Sequence, residues 1–163
     1  MYLTNTLPGI CFAVNTLSQY MVDTRQVHLV AAKHVLRYLK GTIDYGLQYA
    51  RDCKFGLVGY TDSDWAGSVP DWKSTSVCFF SLGSAVIAWR SRKQMSVALS
   101  TTEAEYIDAC VASSEAVWLQ KMLSRLFDLQ LEATWIYCDN QSCIKLSKNS
   151  VFHDKSKHIE IKY

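Results

Sequence analysis

The chain has 163 residues, 49% of them hydrophobic and 20% charged, with a formal net charge of +2. That length and balance fit one globular domain with or without an appended subdomain, able to bury a core without staples. They exclude a polybasic chain, so any nucleic-acid surface must come from local clustering of Lys and Arg. No apolar run approaches the roughly 18 residues of a membrane span, and no basic segment with an apolar core marks a signal peptide.

In chain order, "TLPGICFAVNTLSQYM", Thr6 to Met21, joins a Pro-Gly start to apolar residues at helical spacing and predicts a first helix. A second is predicted between an N-cap at Thr24 and a stop at Gly41. Val27, Ala31, Val35, Tyr38 and Leu39 share one stripe, and Lys33, Arg37 and Lys40 form a basic outer face. Ile43 to Tyr49 reads as extended and Asp52-Cys53-Lys54 as a turn, which sets a subdomain boundary near Gly41 to Lys54. "LVGY" leads a strand into the two aspartates of "TDSD", and "STSVCFFS" and "SAVIAWRS" flank Leu82-Gly83 as a hairpin. "STTE" from Ser100 is a capping box, with Glu103 reaching back to the Ser100 N–H. It opens a helix to Phe127 that has room for a break. "TWIYCD", Thr134 to Asp139, is a strand ending in an aspartate. "NQSCIKLSKN" is a short helix, and "FHDKSKHIEIKY" a polar, basic tail. The predicted class is α/β: a mixed sheet in the order β-β-β-α-β-α, preceded by a two-helix segment.

The six cysteines, at 11, 53, 78, 110, 138 and 143, show neither a C-x-x-C pair nor zinc-finger spacing. They read as reduced core thiols of an intracellular protein.

Chemistry enters with "GYTDSDWAG", Gly59 to Gly67. Asp62, Asp64 and Gly67 meet three positions of an EF-hand loop, but Ala66 and Lys73 stand where further ligands belong, the bidentate glutamate among them. An Asp pair at a strand end is also explained by hydrogen bonds to a turn. What favours a site is recurrence, since Asp62, Glu105 and Asp139 sit on separate core elements, and adjacent parallel strands would bring Asp62 and Asp139 together. Clustered carboxylates repel unless a cation neutralises them, and an all-oxygen set suits Mg²⁺ or Mn²⁺. Two such ions would activate water against a phosphodiester, which is nuclease chemistry. No nucleophile-elbow or comparable motif supports a Ser or Cys hydrolase.

The blocks "GYTDSDWAG", "KSTS", "ALSTTEAEY", "EAVWL", "YCDNQS" and "KHIEIKY" resemble, in order and across the chain, the ribonuclease H domain of copia-type LTR retrotransposon polyproteins. The preceding "YLTNTLPGICFAVNTLSQYM" and "AAKHVLRYLKGTIDYGLQY" resemble the segment joining that domain to reverse transcriptase. The resemblance implies a helical connection segment over 1–50 and a ribonuclease H-like domain over 51–163, with its final helix truncated. It implies an endonuclease that cuts the RNA strand of RNA·DNA hybrids with Mg²⁺ or Mn²⁺, beside the reverse transcriptase region of the same polyprotein. No membrane is involved; the setting is intracellular, cytoplasmic in a retrotransposon particle or nuclear. The alternative is a truncated, inactive fragment that at most binds nucleic acid.

On the family pattern Asp62, Glu105 and Asp139 hold the metal, and Glu160 is a weaker fourth carboxylate. Asp64 reads as a structural neighbour of Asp62, and as the second choice of ligand because alternation places it on the same face of an extended strand. Glu103 and Glu105 lie about 200° apart around a helix, so only one addresses the metal; Glu103 is explained by capping. The plainer structural role for Asp139 is capping of the helix that follows. His153 and His158 are candidates for proton transfer, and a surface role is the plainer explanation for each. Arg90, Arg92, Lys93, Lys145, Lys148, Lys155 and Lys157 are candidate phosphate contacts, with the basic face of the second helix. Trp65, Trp72 and Trp89 offer stacking, or else packing. The chain departs from the family at Trp72, commonly arginine, at Val77, commonly glycine, and at Ser150, often proline. A lost glycine is expected to strain a strand or turn.

Overall fold

The computed structural model describes residues 3–50, 56–128 and 130–148, and the predicted turn at Asp52-Cys53-Lys54 and the tail from residue 149 lie outside them. The chain divides into two compact units, Met1–Tyr49 and Ala50–Tyr163.

In the first unit, 3-10 turns at Leu3–Asn5 and Pro8–Ile10 precede helix α1, Cys11–Ser18. The predicted helix is therefore shorter at both ends. Pro8, with its fixed φ and missing N–H, opens a 3-10 turn that feeds the helix. Helix α2 spans Gln26–Gly41, and its N-cap is Arg25, not Thr24. The Arg25 N–H donates to Nδ1 of His28 at 3.1 Å, so an imidazole satisfies a donor at the helix entrance. Ala31, Val35 and Leu39 are half-buried as predicted, joined by His28 and Ala32, whereas Val27 and Tyr38 stand exposed at the flanks of the stripe. Gly41 is still helical. The stop is made one residue later by Thr42, whose hydroxyl donates to the Tyr38 carbonyl at 2.8 Å and whose N–H donates to Leu39 at 3.3 Å. The stretch expected to be extended forms a turn at 42–44 and then irregular chain. Strand-forming side chains do not suffice there, because no described strand lies alongside to take up the backbone bonds.

The second unit holds strands β1 (Leu57–Ser63), β2 (Thr75–Leu82) and β3 (Ala85–Lys93), helix α3 (Thr101–Phe127), strand β4 (Trp135–Tyr137) and helix α4 (Gln141–Lys148). The sheet order is β3-β2-β1-β4, with β1 antiparallel to β2, β2 antiparallel to β3, and β1 parallel to β4. This is the predicted mixed α/β arrangement, and it is compatible with a ribonuclease H-like fold. Leu82 pairs with Ala85, leaving Gly83 and Ser84 as a two-residue turn in which Gly83 takes a φ of 61°. Val77 lies mid-strand in β2 opposite Asp62 and does not have positive φ, so the anticipated strain is absent. Trp72 does have it, with a φ of 55°.

Helix α3 packs on one face of the sheet through Ala112, Ala116, Leu119 and Leu123 against Leu57, Cys78 and Phe80. The three-to-four-residue spacing makes one inward stripe, and the alanines let the helix approach closely. The anticipated break does not occur. Ser113 and Ser114 turn their hydroxyls onto the Ala109 and Cys110 carbonyls and so stay within the helix. Gly59 makes room in the sheet, since a Cβ there would meet Phe80 at 2.6 Å and Ile136 at 3.3 Å. No helix among the described residues is long and apolar enough to cross a membrane.

Candidate metal centre

Because β1 and β4 run parallel with Tyr60 opposite Tyr137, Asp62 and Asp139 occupy equivalent places two residues further on. Helix α3 supplies the third carboxylate. Its N-terminus is set by Ser100, whose hydroxyl accepts from the Glu103 N–H at 3.1 Å, and by Glu103, whose Oε2 accepts from the Leu99 N–H at 2.7 Å. The return bond of the capping box thus goes to Leu99, not Ser100; Glu103 is consumed by the cap and buried.

Glu105 lies across the strand ends. Its Oε1 accepts from the Ser63 backbone N–H at 3.2 Å and its Oε2 from the Cys138 thiol at 3.6 Å. It is only 5% exposed. Burial raises its pKa, the negative charges of Asp62 and Asp139 raise it further, and the Ser63 and Cys138 donors act the other way. One ligand atom each from Glu105, Cys138 and Asp139 lie within 4.8 Å of one another. Asp62 is exposed and falls outside that compact group, but its charge is felt at Glu105. Asp139 is not a helix cap. Asn140 caps α4, its Oδ1 accepting from the Cys143 N–H at 2.9 Å, which leaves the Asp139 carboxylate exposed at the site.

Asp64 is tied into the loop: its Oδ1 accepts from the Thr75 N–H at 2.6 Å, and its own N–H donates to the Thr75 carbonyl at 3.3 Å. Gly67 is required beside it, since a Cβ there would collide with the Asp64 carboxylate. Two supports under the site escaped the sequence. Asp108 is 1% exposed and accepts from the Thr61 hydroxyl at 2.6 Å. Gln94 donates through Nε2 to Ser76 Oγ at 2.9 Å, to the Ala104 carbonyl at 3.0 Å and to Ser63 Oγ at 3.2 Å, tying β1, β2 and α3 together. A signal for Asp108 existed and was missed: it falls on the inward series Ala104, Asp108, Ala112, Ala116. Gln94 carried no such signal. Cys138 was read as a core thiol, yet it is half-buried beside two carboxylates, and Cys110 is exposed.

The basic candidates are dispersed. Arg90 and Arg92 pair with Cys78 and Ser76 and so share the face of the sheet that α3 covers. Lys93 alternates to the other face and is paired to Asp71 at 2.8 Å. Lys145 and Lys148 lie in the last turn of α4. Lys33, Arg37 and Lys40 are exposed on α2, in the first unit. Trp65 donates from Nε1 to the Ala98 carbonyl at 3.2 Å but is exposed, as is Trp72, and Trp89 is half-buried. Glu160, His153, His158, Lys155 and Lys157 lie outside the described residues.

Carboxylates from separate elements gather at one end of the mixed sheet, and the comparisons with known proteins supply the family. The chain is 42% identical, over 99% of its length, to the retrovirus-related Pol polyprotein from transposon RE1 of Arabidopsis thaliana, and 42% identical over 97% to that from transposon TNT 1-94 of Nicotiana tabacum. It is 48% identical over 73% of its length to the secreted RxLR effector protein 161 of Plasmopara viticola, covering 84% of that protein. No protein-family model matches the chain, and no solved structure does. The chain belongs with the retrovirus-related Pol polyproteins of transposons, as a segment spanning 11% of the RE1 polyprotein and 12% of the TNT 1-94 one.

Proposed function

We propose that residues 51–163 form the ribonuclease H domain of a retrotransposon Pol polyprotein, following a reverse-transcriptase connection segment at 1–50, and cut the RNA strand of RNA·DNA hybrids by metal-assisted hydrolysis. The observation that carries this is the meeting of Glu105 and Asp139 from separate elements, with donor atoms within 4.8 Å and the charge of Asp62 alongside. The donor set fits a divalent cation: a buried carboxylate facing other carboxylates is stabilised most by positive charge, and two of the three acids are exposed to exchange water for ligand. Asp62, Glu105 and Asp139 would hold Mg²⁺ or Mn²⁺. Bound there, the ions would lower the pKa of water and stabilise the oxyanion leaving the phosphodiester.

The chain's own contribution is placement. The Ser63 N–H orients Glu105, Asn140 keeps Asp139 free of the helix cap, and the loop bonded through Asp64 holds the end of β1. The test is incubation of the purified chain with labelled hybrid and Mg²⁺ beside Asp139→Asn and Asp62→Asn. Cleavage by the wild type and its loss in both variants are expected. Equal cleavage by all three would remove the site assignment, and hybrid binding without cleavage would favour an inactive binding fragment.

A further inference from the structure

We propose that Cys138 opens this centre to thiophilic cations: a zinc-class ion, bound by the Cys138 sulfur with one oxygen each of Glu105 and Asp139, competes there with magnesium. The inference rests on Glu105 and Asp139 being cation ligands, as proposed above, and adds which ions compete for them.

The three donors come from two elements and already lie within 4.8 Å of one another. A four-coordinate zinc-class ion has bonds of about 2.0–2.3 Å, so its ligand atoms stand roughly 3.5 Å apart. Rotation of the half-buried Cys138 and the exposed Asp139 closes that difference. The sulfur also interacts with the Asn140 backbone N–H and with the Cys143 thiol. Outer-layer bonds of this kind fix a metal ligand in place. Cys143 itself is 2% exposed and lies outside the compact group of donors formed by Glu105, Cys138 and Asp139.

On binding, the S–H bond breaks, its proton passes to water, and a sulfur–metal bond forms. Glu105 Oε2, released from the thiol at 3.6 Å, turns to the same ion. Magnesium prefers an all-oxygen octahedral shell and gains nothing from sulfur, whereas zinc and cadmium accept sulfur and oxygen together. The thiol therefore biases the site toward soft ions, which would block hydrolysis that needs magnesium.

The test is titration of the full purified chain with cadmium, whose thiolate complexes absorb in the ultraviolet, in excess Mg²⁺. A charge-transfer band saturating at one equivalent is expected. It should be lost in Cys138→Ser, kept in Cys143→Ala, and shifted at least tenfold weaker in Asp139→Asn, with circular dichroism verifying folding. If Cys138→Ser does not fold, the Asp139→Asn shift decides. A band that survives in Cys138→Ser, or an affinity unchanged in Asp139→Asn, overturns the proposal. Hybrid cleavage without the band would overturn it and leave the nuclease standing; the band without cleavage would do the reverse.

Discussion

Glu105 is held almost out of water between two strand ends, beside two other acids, and that placement sets function against stability. Without a cation its charge is a cost. Glu105→Gln removes the charge and keeps an oxygen for the Ser63 N–H, so its melting temperature in chelator at pH 7 should equal or exceed the wild type's, while hybrid cleavage falls on the order of 100-fold. A clear drop in stability would show that the carboxylate is structural. Asp108 has a parallel effect on pH dependence. Burial pushes it up from 3.8 to about 6, against donors that include Thr61 and Ser76. With the folded value above the unfolded one, its contribution is fully present below about pH 4 and is lost as pH rises through about 6, on the order of 3 kcal/mol. Denaturant titrations from pH 4 to 7 should therefore give a flatter stability profile for Asp108→Asn than for the wild type. Identical slopes would contradict this account.

At the scale of elements, helix ends govern where the acids stand. Ser100 and Glu103 fix the start of α3 and hence the height of Glu105, and Asn140 frees Asp139 by capping α4 in its place. The far end of α3 is less well made: Asp128 takes a left-handed φ of 53°, a conformation that glycine adopts at lower cost. Asp128→Gly is expected to stabilise the chain by about 1 kcal/mol in chemical denaturation without altering cleavage. An unchanged or lower midpoint would mean that the aspartate makes a compensating contact.

Across the molecule, the two units differ in what they bury. Among the described residues of the first, Ile10 alone is a fully buried hydrophobic side chain, whereas the second packs Leu57, Cys78, Phe80, Leu119 and Leu123 into one core. Amide hydrogen exchange should accordingly be faster in α1 and α2 than in β1, β2 and α3. Equal protection in both units would show that they open together.

The periodicities of the chain determined the α/β class, the hairpin at Gly83 and the long amphipathic helix, because those depend on spacing within a few residues. Capping chemistry likewise singled out Ser100 and Glu103, and recurrence at element ends singled out Asp62, Glu105 and Asp139. Only the tertiary structure decided the rest, since each remaining question turned on contacts between distant residues. The parallel β1–β4 register aligned Asp62 with Asp139, and the absence of a described strand neighbour left Tyr45 to Tyr49 irregular. The crossing of α3 over the strand ends placed Glu105 and Cys138 in hydrogen-bond contact, which no local pattern could encode.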